Sequence, residues 1–136
     1  MITQRHITMQ PKRRGFHLVT AEILRELGEL PQTGLLNLFI RHTSAALTIN
    51  ENADPSVRQD METIADRLVP DGDPVYVHDL EGDDDMPAHF KSSMMGASLT
   101  IPICGGRLGL GTWQGIYLCE FRNSGGSRHV IATIYS

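Results

Sequence analysis

In the segment Leu35–Ile49, successive side chains fall alternately on two opposite faces. This pattern restricts the fold more than any other feature of the sequence. Every second residue from Leu36 to His42 falls on one face, and three of these four are large and apolar. The pattern breaks at Thr43-Ser44 and then resumes. A period of two is typical of β-strands, so we expect two strands here. Similar patterns predict strands in four further segments: Ile2–Met9, Ser98–Ile103, Thr112–Phe121 and Arg128–Tyr135.

Helix signals separate the predicted strands. After a turn over Pro11–Gly15, Thr20 is a candidate N-cap for a first helix. Asp54-Pro55 joins an N-cap residue to a proline suited to the first helical position, so a second helix should run to about Leu68. A third, short helix should end near Met95. Five residues of the second helix are expected to face inward: Val57, Met61, Ile64, Ala65 and Leu68. The predicted fold class is α+β, with a mostly antiparallel β core and about three helices.

Length and composition predict a single domain over residues 1–136. No run of 18 apolar residues is present, so no transmembrane helix is expected. The N-terminus lacks the apolar stretch of a secretory signal, and Cys104 and Cys119 are too few for a disulfide framework. We therefore expect a cytoplasmic protein. The basic segment Pro11–Arg14 is too short to indicate a nucleic-acid surface, so neither nucleic acid nor membrane is an expected partner.

Negative charge is concentrated in the window Leu68–Phe90, which contains seven acidic residues and no lysine or arginine. Elsewhere nine acidic residues face 12 basic ones, so the net charge of −4 is local. Carboxylates this close repel one another unless they are neutralised. A divalent cation, basic groups from elsewhere in the chain or a second subunit, and plain solvent all remain open. The four acids Asp71, Asp73, Asp79 and Glu81 are interpreted as solvated loop charges, and His78 as an accessory residue.

The start of the third predicted helix carries the strongest candidates for chemistry. Asp85 and His89 are four residues apart, so they share a face if both are helical. If Asp85 is instead the N-cap, Asp84 can turn toward His89. Either carboxylate could bind a metal or fix the tautomer of His89. His42 and the pair Asn50-Glu51, at the ends of strand segments, are residue types that suit a metal or a ligand.

Mixed histidine and carboxylate ligands suit Zn²⁺, Mn²⁺ or Mg²⁺, and the sequence does not choose among them. An EF-hand requires glycine at its sixth position and glutamate at its twelfth, but counting from Asp79 these are Asp84 and Phe90. A His-Glu-x-x-His pair, a Cys-x-x-Cys pair and a Gly-x-Ser-x-Gly elbow are also absent from the sequence. A closed structural zinc site and a serine hydrolase are therefore not expected.

Two glycine-rich loops join the last strands. Gly105–Gly111 and Gly125-Gly126-Ser127-Arg128 are either flexible turns or backbone nests for phosphate oxygens, with Arg128 as a bidentate clamp. Glu120 follows two apolar residues on a strand face, and we expect it to pair with an arginine. Trp113 is expected in the core or at an interface.

Three motifs together resemble the YjbQ family, also called the secondary thiamine-phosphate synthase family. They are His42-Thr43-Ser44-Ala45-Ala46-Leu47-Thr48-Ile49-Asn50-Glu51, Asp84-Asp85-Met86-Pro87-Ala88-His89 and Gly109-x-Gly111-Thr112-Trp113-Gln114-Gly115-Ile116. The resemblance covers nearly the whole chain, including the closing Gly125-Gly126-Ser127-Arg128, an ending similar to that of the bacterial branch.

The resemblance implies a β-sandwich-like α+β fold that assembles as a homotrimer, with a site near the subunit interface. It implies an enzyme that joins hydroxymethylpyrimidine diphosphate to hydroxyethylthiazole phosphate and releases pyrophosphate, either as its main reaction or as a side activity. A divalent cation is the implied cofactor. His42, Asp84 and His89 are the expected catalytic and metal residues, and the expected substrate-binding residues are Asn50, Glu51, Thr112, Gln114 and Arg128.

Two other interpretations remain open. One is a trimeric protein that binds a metal or a phosphorylated ligand without this turnover. The other is a structural role, in which the acidic window docks against Arg107, Arg122 or Arg128 of a neighbouring subunit.

Overall fold

The computed structural model describes residues 1–136 and contains eight strands and three helices. The strands are β1 Ile2–Met9, β2 Gly15–Leu18, β3 Thr33–Ile40, β4 Ala45–Glu51, β5 Ser98–Cys104, β6 Arg107–Leu108, β7 Gln114–Glu120 and β8 Arg128–Tyr135. The helices are α1 Thr20–Leu27, α2 Pro55–Leu68 and α3 Asp85–Met95. None of these helices has the length and hydropathy needed to cross a membrane.

The strands form two antiparallel sheets, in the orders β1-β8-β3-β5-β6 and β2-β7-β4. The alternation predicted for β3 places Leu36, Leu38 and Ile40 toward the three-stranded sheet. There they share one buried cluster with residues such as Leu47 and Leu118. The α+β class, the antiparallel sheets and the three helices are therefore confirmed, and the two facing sheets form a sandwich.

The three-stranded sheet is also covered on its outer face. Phe16, Ala46 and Tyr117 point away from the sandwich core into a second cluster, together with Ala65 of α2 and Ala88 of α3. Because both faces are covered, the residues of β7 from its second position onward are all buried. Such a strand has a continuous apolar pattern rather than an alternating one.

The predicted N-cap is correct for α2 but not for α1, and one short strand was not predicted. Asp54 caps α2 as expected, since its Oδ1 accepts the Ser56 N–H at 2.9 Å. Thr20 is not an N-cap but the first residue of α1, and its hydroxyl oxygen accepts the Ile116 N–H at 2.8 Å. Strand β2 was not predicted, because four residues are too few to show a period.

The inward face predicted for α2 is only partly correct. Ala65 is buried, but Ile64 and Leu68 are exposed. Trp113 is also exposed rather than in the core. Helix α2 lies on a three-stranded sheet and has no further layer above it, so only a narrow stripe of the helix is covered.

An ion-pair network, buried at Lys91 and partly exposed at Asp66, joins α2 to α3. Lys91 of α3 is only 1% exposed, and its Nζ donates to Asp66 Oδ1 of α2 at 2.9 Å. Arg14 donates to the same carboxylate oxygen at 2.8 Å and also binds Asp71, which is an exposed loop charge as expected but has a basic partner. Burial raises the pKa of Asp66, but the bonds and charges of Lys91 and Arg14 outweigh it and lower that pKa below its usual value. This network fixes α3, the helix that carries His89, against α2.

Substituting Asp66→Asn should destabilise the protein in a pH-dependent way. The carboxylate has a lowered pKa in the folded state, so its contribution is fully present above the unfolded pKa of about 3.9 and is lost as pH falls through the folded value. The substituted protein should lose about 1 kcal/mol at pH 6, because the introduced amide oxygen still accepts one bond from Lys91 and solvent screens the partly exposed carboxylate. Urea unfolding at pH 6 and pH 3 measures this loss, and an equal loss at both values would contradict the assignment.

Candidate functional site

The first turn of α3 positions the candidate site. Asp84 is the N-cap residue, Asp85 the first helical residue, and Pro87 follows within the first turn, where its missing N–H costs nothing. Asp85 and His89 are therefore one turn apart on the same face. Asp85 is 1% exposed, although it is charged.

Three side chains converge on this turn: His78, Asp85 and His89. Asp85 Oδ2 lies 2.7 Å from His78 Nε2 and 3.1 Å from His89 Nε2. The two imidazole rings are 5.4 Å apart, and one ligand atom from each of the three residues lies within 4.8 Å of the other two. We call these three residues the His-Asp-His cluster.

The hydrogen bonds of His89 create a lone-pair conflict within the cluster. The Thr43 carbonyl oxygen can only accept, so His89 Nδ1, 2.9 Å away, carries a hydrogen. In a neutral imidazole Nε2 then has a lone pair, and this nitrogen faces a carboxylate oxygen of Asp85. Two lone pairs at 3.1 Å repel each other. The contact is stable only with a proton on Nε2 or with a cation that both atoms can bind.

Arg122, two residues after β7, orients the carboxylates. Its Nε donates to Asp84 Oδ2 at 2.9 Å, its Nη1 to Asp85 Oδ1 at 2.6 Å and its Nη2 to the Glu81 carbonyl. Burial raises the pKa of Asp85, but the bond from His78 and the charges of His89 and Arg122 outweigh it and lower that pKa. Asp85 is therefore held as a carboxylate whose second oxygen points at the two histidines.

Asp84 and His42 were predicted as metal and catalytic residues together with His89, but neither belongs to the His-Asp-His cluster. Asp84 Oδ2 accepts from Arg122 and from the Asn123 N–H at 2.9 Å, so its carboxylate turns away from His89. His42 Nε2 accepts the His129 N–H at 2.8 Å. Burial and the nearby Arg128 charge lower the pKa of His42, which favours the neutral ring.

His42 nevertheless lies close to His89. Both side chains line a pocket of about 370 Å³ together with Thr43 and the two hydroxyl residues Ser92 and Ser93. Ser92 Oγ donates to the Thr43 carbonyl at 2.7 Å, which ties α3 to the segment before β4. The structure thus brings His42 and His89 to one pocket, with the His-Asp-His cluster at the His89 side.

Four of the predicted substrate-binding residues lie elsewhere. Glu51 and Gln114 are backbone partners at one end of the β4–β7 ladder, and Ala45 lies at the other end. At 3.3 Å per residue, Glu51 is about 20 Å from Ala45 along the strand. Asn50 Oδ1 accepts the Glu51 N–H, and Glu51 Oε2 accepts the Asp54 N–H at 2.9 Å. Gln114 Oε1 accepts the Gly111 N–H at 2.7 Å, and the Thr112 carbonyl accepts from Asn52. These contacts organise turns, and they place the four residues apart from His89.

Arg128, the fifth predicted substrate-binding residue, is enclosed by the protein. Its guanidinium donates to both oxygens of Glu120, at 2.8 and 2.6 Å, and to Ser44 Oγ at 3.0 Å. Both charged side chains are buried. The pairing of Glu120 with an arginine is confirmed, and this pair occupies the guanidinium face that a phosphate clamp would need.

His78 and Arg122 are the two members of the site that sequence reasoning undervalued. His78 lies seven residues before Asp85 and outside α3, so only the fold of the intervening loop brings it to the carboxylate. Arg122 was considered as a partner for the acidic window, but from a neighbouring subunit. Nothing in the sequence around a single arginine after a strand marks it as a site residue. Seven carboxylates without a nearby basic residue do indicate that a basic partner is needed.

Comparison with known proteins assigns the chain to a family. The family model described as "UPF0047 protein YjbQ-like" matches residues 5–136, and the chain belongs to this family. The chain is 56% identical over 133 residues to the UPF0047 protein YjbQ of Escherichia coli O157:H7, which covers 96% of each chain. A crystal structure of a YjbQ/UPF0047 family protein from Clostridium acetobutylicum is 38% identical, with a TM-score of 0.81 and coverage of 96% and 99%. A conserved hypothetical protein from Thermus thermophilus is 35% identical, with a TM-score of 0.83 and coverage of 94% and 97%.

Substituting Arg128→Met should reveal a structural role for this residue. The change leaves the buried Glu120 carboxylate without its cation, so we expect a loss of about 3–5 kcal/mol in the free energy of unfolding. Urea denaturation measures it. The matched control is Arg107→Met, an exposed arginine without an ion pair, which should change stability by less than about 0.5 kcal/mol. A fully stable Arg128→Met protein would show that the pair does not hold the fold.

Proposed function

Because the chain belongs to the YjbQ-like UPF0047 family, we propose that it is a divalent-cation-dependent enzyme of the secondary thiamine-phosphate synthase type. One observation carries the cation: His89 Nε2 faces Asp85 Oδ2 with its other nitrogen bound to a carbonyl oxygen. The proposed site differs from the one predicted from sequence, because His78 and Asp85 take the places of His42 and Asp84. His89 is common to both.

The residues of the cluster fit a transition metal better than Mg²⁺. Two imidazoles and one carboxylate are ligands of Zn²⁺ and Mn²⁺, whereas Mg²⁺ prefers oxygen and water. Ligands at about 2.0–2.2 Å from a tetrahedral ion lie roughly 3.4 Å from one another. The Asp85 oxygen lies 2.7 and 3.1 Å from the two histidine nitrogens, and the three ligand atoms all lie within 4.8 Å of one another. Small side-chain shifts would therefore accommodate the ion. Three protein ligands leave a coordination position open for a substrate oxygen.

The pocket beside His89 is the proposed substrate site. Its volume of about 370 Å³ lies within the range of about 300–1,000 Å³ for small-molecule sites. His42 keeps a hydrogen on Nδ1, because its Nε2 accepts a backbone bond, so it can act as a neutral donor. Ser93 adds a hydroxyl group to the lining. These groups suit a polar, phosphorylated ligand that reaches the cation through an oxygen.

In the proposed reaction the thiazole nitrogen attacks the methylene carbon of the pyrimidine diphosphate. A C–N bond forms, the C–O bond breaks, and its electron pair leaves with pyrophosphate. Charge therefore develops on the leaving oxygen, and a bound cation would supply the compensating positive charge. The residues of the chain orient this step: Arg122 holds Asp85, Asp85 and Thr43 hold His89, and His42 donates a hydrogen bond.

A second candidate function is cation-dependent ligand binding without turnover. It is favoured by two arginines beside the site, Arg122, which binds Asp85, and Arg128, whose charge acts on His42, since both are occupied by carboxylates of the chain. Neither has a free guanidinium face for a leaving pyrophosphate. The two candidates share the cation and differ only in whether product forms.

We further propose that the active form is a homotrimer with this site near the subunit interface. Val75, Val77 and Leu80 are among the most exposed large apolar side chains, and they lie in the loop that leads to the cluster. Phe90 and Met94 on α3 are also more than half exposed. Exposed apolar side chains grouped in this way are typical of surfaces that contact another protein.

Cation binding can be tested by substitution of each candidate ligand. Isothermal titration of Zn²⁺ and Mn²⁺ should give one site per chain. His78→Ala, Asp85→Asn and His89→Ala should each weaken binding by roughly 100-fold, since loss of an outer partner alone costs about 10–100-fold. His42→Ala and Asp84→Asn should bind within a few-fold of the parent, and exposed His6→Ala is the matched control. If cation binding were lost in the His42 and Asp84 variants but intact in the His78 and Asp85 variants, the ligands predicted from sequence would be favoured instead.

The reaction itself can be tested with the two phosphorylated substrates and the purified trimer, its mass checked by light scattering. Thiamine phosphate should form only with the divalent cation present, and His89→Ala should abolish it without dissociating the trimer. Chromatographic detection of thiamine phosphate and of released pyrophosphate measures the two products. Saturable substrate binding with no product over many hours would exclude the transferase and support the second candidate.

A further inference from the structure

A second cavity lies between β2 and the first half of α2, and the site described above uses none of its residues. Its volume is about 780 Å³. Four of its nine lining residues carry basic side chains, namely Lys12, Arg13, His17 and Arg58, and Glu62 is the only acid among them. The lining therefore carries a net positive charge even with a neutral imidazole, in a chain whose overall charge is −4.

Arg58 is the unusual member of this cavity. Its Nη1 is shielded from solvent and has no hydrogen-bond partner within the chain. Six of the 12 basic residues are buried or half-buried, and every one except Arg58 has a carboxylate partner. The paired five are Lys12, Arg14, Lys91, Arg122 and Arg128. Leaving a shielded donor without an acceptor is costly, and Arg58 is only half-buried, so the rest of its guanidinium lines the cavity and can meet an acceptor from outside the chain.

The other basic groups leave room for that acceptor. Lys12 pairs with Glu22 at 3.1 Å, whereas the contact of Arg13 with Glu62 is long, at 3.7 Å, and the Arg13 side chain is 79% exposed. His17 Nε2 lies 2.7 Å from the Arg13 carbonyl oxygen and must donate to it. Its Nδ1 is then the ring atom that remains for a ligand. Arg13, His17 and Arg58 thus retain polar atoms that the fold does not use.

We propose that this cavity binds the phosphate group of a phosphorylated small molecule, with Arg58 as its principal donor. A planar guanidinium donates two parallel bonds to a phosphate, and with Lys12 paired to Glu22 the cations Arg13 and Arg58 still outnumber the single carboxylate of Glu62. Phe16 and Leu18 line the same cavity and offer apolar contact to the organic part of the ligand. This site does not depend on the cation cluster, because the two share no residue.

Isothermal titration of the full chain with sodium pyrophosphate and with inorganic phosphate tests the proposal. EDTA is included so that no divalent cation carries the anion to the His-Asp-His cluster. The parent protein should bind pyrophosphate at one site per chain, and Arg58→Gln should weaken it by about tenfold or more. The matched control is Arg67→Gln, an exposed arginine on the same helix that does not line the cavity. It should bind within about twofold of the parent, as salt screening predicts for a remote charge.

Thermal melting and the binding properties of the variants test the site further. Arg58→Gln removes no ion pair, so its melting temperature without ligand should match the parent, while the rise that pyrophosphate produces in the parent should disappear. If Arg58→Gln does not fold, Arg13→Gln at an exposed position should still reduce affinity and serves in its place. In EDTA, His89→Ala should bind pyrophosphate like the parent, and without EDTA Arg58→Gln should still bind Zn²⁺. Failure of the anion-site proposal can therefore be distinguished from failure of the proposed function.

Three results would overturn the proposal. Equal weakening in Arg58→Gln and Arg67→Gln would indicate diffuse charge attraction rather than a site. Binding of malonate as tight as that of pyrophosphate would assign the cavity to carboxylates instead of phosphates. A change of oligomeric state in Arg58→Gln, with no anion binding in the parent, would show that Arg58 finds its acceptor on a second subunit.

Discussion

Burial of the three-stranded sheet on both faces is the constraint on which the rest of this structure depends. One face closes the sandwich core through Leu47 and Leu118, and the other packs against α2 and α3 through Ala46 and Tyr117. Helix α3 can lie close to the sheet because small residues meet at the contact, with Ala88 fully buried there. This packing brings His89 within reach of the Thr43 carbonyl oxygen, and the tautomer of His89 follows from that contact. The proposed cation site is therefore a consequence of how a helix is packed on a sheet.

The two proposed sites follow from opposite kinds of imbalance between buried donors and acceptors. Asp84 and Asp85 share Arg122, which leaves a single oxygen, Asp85 Oδ2, directed at two imidazoles. A buried carboxylate is stable only when it is paired, so Arg122 makes the charge at Asp85 tolerable and also aims it. At the His-Asp-His cluster, His89 Nε2 faces a carboxylate oxygen while Nδ1 already donates to a carbonyl oxygen, so the contact needs a proton or a bound cation. At the cavity between β2 and α2, half-buried Arg58 has no carboxylate partner, which favours an anion.

Several features follow from the sequence alone because their causes are local. The alternation around Leu36 predicts β3, Asp54-Pro55 predicts the start of α2, and four-residue spacing places Asp85 beneath His89. The family motifs identify the fold through the same segments. Short strand β2 and the exposed outer stripe of α2 escape prediction, since a period needs length and since solvent exposure depends on whether another layer covers a helix.

The composition of the site was decided by tertiary structure. The sequence indicated that histidine and carboxylate meet at the start of α3, but it could not distinguish Asp84 from Asp85. Both carboxylates bind Arg122, and only the fold shows that Asp85 keeps an oxygen facing the histidines while Asp84 also accepts from the Asn123 N–H. It could not place His78, which a loop returns to Asp85. It also could not separate Glu51 and Gln114 from His89, because they lie at one end of the β4–β7 ladder and His89 contacts Thr43, just beyond the other end. It also could not show that Arg128 is enclosed by Glu120 while Arg58 remains without a partner. Pairing between distant charged groups depends on three-dimensional distance, and the spacing of residues along the chain does not encode that distance.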